Sequence, residues 1–121
     1  MKSYWVIHKG KRVFVANFSN FDMDSAALQR ECDDIIRELE REPRNSVLSI
    51  SNAEGTVASP SNLNVLKNML PRSNRYVRRR AVIGVAGARR AFIELINKLT
   101  GGTRFSTFDN LDQALEWITT E

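Results

Sequence analysis

The sequence predicts a single α/β domain, residues 1–121, in which helices flank a mixed, mostly parallel sheet. Three observations predict it. The apolar period switches repeatedly between strand and helix spacing, in the order β-β-α-β-α-β-α-β-α. Residues 81–86 form a continuous apolar run, as expected of a parallel strand covered on both faces. A chain of 121 residues is long enough for one hydrophobic core and too short for two. Strands alternating with helices imply parallel pairs joined by right-handed crossovers.

The elements follow in order. Tyr4-Trp5-Val6-Ile7 and Val13-Phe14-Val15 are aromatic and β-branched, and the short glycine-containing segment between them predicts a hairpin. Leu28, Cys32, Ile35, Ile36 and Leu39 then repeat at helical spacing, with Asp22 and Asp24 placed to cap the helix and Pro43 to stop it. Residues 46–50 predict a short strand. Ser59-Pro60 reads as an N-cap followed by the residue best suited to the first helical position, and Pro71 is expected to end that second helix. The run 81–86 predicts a strand at the centre of the sheet, with Ile83 and Val85 buried. Gly87 opens a third helix bearing Phe92, Leu95, Ile96 and Leu99, closed by Gly101-Gly102. Residues 104–108 predict a last strand. Asn110 with Gln113 resembles a capping box for a final helix carrying Leu111, Ala114, Leu115 and Ile118.

Composition narrows the function. The net charge is +4, with the basic excess in the second half: no acidic residue stands between Glu54 and Glu94, while eight Lys and Arg do. Such an imbalance concerns anionic partners, not the fold. No apolar run approaches the roughly 20 residues of a membrane span, and Met1 to Trp5 lead into no signal-like apolar stretch. One cysteine permits no internal disulfide and no cysteine-based zinc site. A cytoplasmic location is expected, with no metal and no cofactor.

The strand Arg80-Ala81-Val82-Ile83-Gly84-Val85 running into Gly87, and the ending Phe108-Asp109 followed by Ala114-Leu115-Glu116-Trp117-Ile118, resemble the STAS domain. The closest likeness is to small SpoIIAA-like anti-sigma factor antagonists of bacteria, and it extends over the whole chain in element order. The resemblance implies a module that binds another protein, in some members under control of serine phosphorylation. Aligning Leu63 with the family's leucine puts Ser61 at the phosphorylated position. Ser59 then stands where the family has aspartate, and the family's glycine is missing.

Each candidate has a plainer reading beside it. Ser59 and Ser61 are the phosphorylation candidates, and Ser59 is read first as an N-cap. Asn62 and Leu63 are the protein-docking candidates, on an exposed start of the second helix. Gly87, Ala88, Arg89 and Arg90 form an anion-binding candidate, where helix amides and two guanidinium groups could share one phosphate. The site lacks both the dinucleotide fingerprint and the P-loop spacing. Arg78-Arg79-Arg80 is read as solubilising or docking surface ahead of a strand, since one tyrosine beside it makes a poor nucleic-acid platform. His8 has no nominated partner for acid–base work, Cys32 lies on an apolar stripe, Asp33 and Asp34 point apart, and Trp117 reads as a packing residue. The expected function is a non-enzymatic STAS-like protein-interaction or regulatory module whose partner is another cytosolic protein. The alternative is a small-molecule or anion (phosphate or nucleotide) binding domain. An enzyme ranks last, because no acid–base or metal constellation can be nominated.

Overall fold

The computed structural model describes residues 1–57, 59–84 and 105–120. Val85, the expected third helix, and with it Gly87, Ala88, Arg89 and Arg90, lie outside the described residues. Among the described residues five strands form one sheet in the order β1 (Tyr4–His8), β2 (Lys11–Asn17), β3 (Val47–Asn52), β4 (Val77–Ile83) and β5 (Phe105–Phe108). Strand β1 is antiparallel to β2, and the remaining neighbours are parallel. The described helices are α1 (Ser25–Leu39), α2 (Pro60–Asn74) and α3 (Leu111–Thr119). The protein is thus of the α/β class with a mixed sheet.

Local chemistry explains the elements. Lys9 and Gly10 turn the hairpin with φ of 51° and 77°, both left-handed, which matches the twist of the strands they join. Each described helix starts on a side-chain cap. Asp24 accepts from the Ala27 amide at 3.0 Å, Ser59 from the Asn62 amide at 3.1 Å, and Asn110 from the Gln113 amide at 2.9 Å. The start of β1 is anchored by Glu31 of α1. Its buried carboxylate accepts from the Lys2 amide, the Ser3 amide and the Ser3 hydroxyl at 2.7–2.9 Å.

The strand order rises steadily across the sheet, so right-handed crossovers set α1 and α2 on the same face. There Phe14, Ala16 and Val47 meet Leu28, Cys32, Ile35, Leu66 and Leu70. On the opposite face Val13, Leu48, Ile50, Ala81 and Ile83 pack against Ala114, Leu115 and Ile118 of α3.

Three expectations need correction. Pro71 does not end α2. The helix runs one further turn to Asn74, although proline removes a backbone donor. Tertiary packing holds that turn: Ser73 is buried, its hydroxyl donates to the Leu70 carbonyl at 2.7 Å, and Arg80 donates to it from β4.

The strand carrying Ile83 is interior but not central, a place that β3 takes, because β5 alone lies beyond β4 among the described strands. Ile83 is nonetheless buried.

The arginine triplet lies within β4 and is not a solubilising surface. The register with β3 slips between Val47 and Leu48, leaving Arg78 as an extra, exposed residue and re-aiming the two that follow. Arg79 then reaches α3, where its guanidinium sits 4.0 Å from the Trp117 ring centre and donates to the carbonyls of Trp117, Ile118 and Thr120 at 3.0–3.3 Å. Arg80 points to the other face and is buried under α2.

Replacing Ile83 with aspartate would place an unpaired carboxylate between β4 and α3. We expect a loss of more than about 4 kcal/mol, seen as loss of the cooperative thermal transition or of soluble protein. A soluble Ile83→Asp variant with the wild-type melting temperature would contradict this packing.

Candidate functional site

In open α/β sheets, binding sites gather in loops at the carboxyl ends of the parallel strands. Here those loops are residues 18–24, between β2 and α1, and the segment between β3 and α2, of which residues 53–57 and Ser59 are described. They are laced to one another. The amides of Phe18, Asn20 and Val57 donate to the carbonyls of Asn52, Glu54 and Asp22 at 2.7–2.9 Å. Asp22 and Thr56 form an isolated parallel bridge. The Thr56 hydroxyl accepts from the Phe21 amide at 3.1 Å and donates to the Phe18 carbonyl.

Asn62 closes the arrangement. Its amide nitrogen donates to the carbonyls of Asp22 and Val57, both at 2.8 Å, and it is 0% exposed. The expectation of an exposed docking residue therefore fails for Asn62. The start of α2 presents Pro60 and Ser61 to solvent and keeps Leu63 half-buried. Ser59 is half-buried and spends its hydroxyl oxygen on the cap, whereas the Ser61 side chain faces outward.

The same lacing exposes two side chains that sequence reasoning passed over. Met23 is 69% exposed and Val57 46%, on segments joined by the Val57–Asp22 hydrogen bond. Asp22, Asp24 and Glu54 are exposed nearby in sequence and give the loops an acidic rim. Asp22 sits at φ 50°, a left-handed conformation that the two bonds to its carbonyl hold in place. Gly84, at the end of β4, has φ 79°, and a Cβ there would come within 2.7 Å of the Glu54 backbone nitrogen. Glycine lets β4 finish against this loop. The available sequence signal was an isolated Met23 between two aspartates and an isolated Val57 in a polar stretch, neither on an apolar stripe.

The other reactive side chains are occupied structurally. Cys32 is fully buried. Desolvation, with smaller contributions from Asp33 and Glu31, pushes its thiol up to about 12, so no thiolate forms near neutrality. His8 does gain a carboxylate: its Nε2 lies 3.0 Å from Glu116 of α3, which Lys9 also contacts. Hydrogen bonds from Lys9 and then His8 hold the Glu116 carboxyl below its ordinary value. This exposed cluster straps the hairpin turn to the last helix. Trp117 carries the Arg79 guanidinium over its ring and meets the tilted Phe108 ring at 5.4 Å, a packing role. Among the described residues no group of three metal-ligating side chains occurs. At the amino end of the strands, Trp5, Lys11, Arg12, Glu42 and Arg78 line an open cleft of about 520 Å³, in which Arg12 pairs with Glu42 at 2.8 Å.

The chain matches no family model and no curated protein. No described helix is long and apolar enough to cross a membrane.

A surface asparagine would accept lysine within about 0.5 kcal/mol. Asn62→Lys instead removes two buried hydrogen bonds and inserts a cation, so we expect a loss of about 3 kcal/mol or more. Urea midpoints at constant slope read this directly, and an unchanged midpoint would refute the buried bracing role.

Proposed function

We propose that this protein is a non-enzymatic, STAS-like regulatory module of the cytoplasm. It binds another protein through the loops at the carboxyl edge of its sheet. The observation that carries the reading is the pair Met23 and Val57. Two large apolar side chains stand in solvent on backbone that is hydrogen-bonded in place. Exposed apolar groups on a rigid frame favour binding, because little conformational entropy remains to be lost when a partner covers them. The acidic rim of Asp22, Asp24 and Glu54 suits a partner whose contact surface is basic around an apolar centre.

Serine control is compatible with this surface. Ser61 is exposed in the first turn of α2, where a phosphate would lie at the positive end of the helix dipole. It would also add negative charge beside the acidic rim and weaken a basic partner. Non-enzymatic action is supported by the uses already found for Cys32, His8 and Ser59, each engaged in packing, strapping or capping.

The test compares proteins captured from the native cell by wild type and by a Met23→Asp, Val57→Asp double variant. Both changes are at exposed positions, so the melting temperature should move little. We expect the partners of the wild type to be lost by at least tenfold, a change of about 1.4 kcal/mol or more. Equal recovery by the folded double variant would reject this surface.

A further inference from the structure

Strand β1 forms one edge of the sheet, and among the described residues no strand pairs with its outer side. Edge strands are usually protected by proline, a bulge or an internal charge. Residues 4–8 contain no proline, lysine or arginine, and their register with β2 is unbroken from Tyr4 to His8. Ile7 is 76% exposed and Tyr4 42%.

The turn fixes which backbone groups face outward. A two-residue turn at Lys9-Gly10 makes His8 and Lys11 a hydrogen-bonded pair, and bonding then alternates along an antiparallel ladder. Tyr4, Val6 and His8 therefore turn their amides and carbonyls toward β2. Trp5 and Ile7 turn theirs outward.

We propose that two copies of this chain associate through β1, antiparallel, about a two-fold axis at Val6. In that register Trp5 of each copy faces Ile7 of the other, and these are the residues with outward backbone groups. Four backbone hydrogen bonds form. The exposed Ile7 gains an aromatic neighbour, a favourable cross-strand combination. Val6 meets its own counterpart, and Tyr4 meets His8. The flanking cations are also accommodated, since Lys2 falls opposite Gly10 and Lys9 opposite Ser3, with no like charges face to face. This self-complementarity is the reason to choose a second copy over a foreign strand. The contact is isologous, so it closes as a dimer and does not propagate. Its short length makes it a concentration-dependent one.

Sedimentation should show the mass rising from 13.8 kDa toward twice that value with concentration. Ile7→Pro removes an outward amide and leaves the ladder to β2 intact, so this variant should remain monomeric with an unchanged far-ultraviolet spectrum. The register has its own test. Val6 residues across the axis would be a non-hydrogen-bonded pair with Cα atoms about 4.5 Å apart, within the range that a disulfide spans. Under mild oxidation Val6→Cys should crosslink into a dimer, whereas Tyr4→Cys, facing His8 of the other copy, should not. The native Cys32 is buried and does not compete. If Ile7→Pro fails to fold, the two cysteine variants decide the matter. A monomer at every concentration without crosslinking, as expected if the edge serves another protein, would overturn the proposal. So would equal crosslinking of Val6→Cys and Tyr4→Cys.

Discussion

The candidate surface at the carboxyl edge of the sheet depends on one buried amide. Asn62 lies in the first turn of α2, yet its side-chain nitrogen bonds to carbonyls from two different loops, at Asp22 and Val57. Those loops follow separate strands and share no element of regular structure beyond the Asp22–Thr56 bridge. The asparagine braces the backbone pairing of the loops from the side of α2. It holds Asp22 left-handed, draws Val57 against the loop that carries Met23, and sets α2 at a fixed distance from both. A buried donor of this sort must be satisfied, since leaving it unpaired costs about 1–3 kcal/mol. The same requirement that buries Asn62 therefore fixes the position of the two exposed apolar residues.

The helical layers are tied to the sheet by a second device, the consecutive arginines of β4. The bulge at Arg78 restores alternation one residue later, sending Arg79 to the C-terminus of α3 and Arg80 beneath α2. The first placement is favourable, because a cation complements the carbonyls that end a helix. The second is costly. Burial lowers the Arg80 guanidinium to about 10, so it remains charged at neutral pH, and its Nε has no partner. Its bonds to Ser73 and Asn74 secure the last turn of α2, which Pro71 would otherwise weaken. The loops around Met23 and the strand β1 are thus carried on a sheet whose faces are both pinned.

Much of the fold was legible because its signals are local. The hairpin, all three described N-caps and the apolar stripe of α1 are specified by residues within a few positions of one another. Long-range contacts overrode the remainder. Pro71 breaks helices by a local rule, and only Ser73 and Arg80, brought together by folding, show why α2 continues. A run of three arginines looks like surface until a register shift turns two of them inward. Asn62 was singled out for its position at the start of α2, and its role was missed because its partners, Asp22 above all, are distant in sequence. Met23 and Val57 gave no pattern at all, since a lone apolar residue in a loop is common and becomes informative only when its exposure is known.

The most direct test of the bracing role is amide hydrogen exchange, followed residue by residue. In the wild type the Val57 and Phe21 amides should exchange slowly, because each donates to the opposite loop. In Asn62→Ala these two should lose protection, while amides along β2 and β3 keep theirs. If Val57 and Phe21 remain as protected in the variant as in the wild type, or exchange freely in the wild type itself, Asn62 is not what holds the surface together.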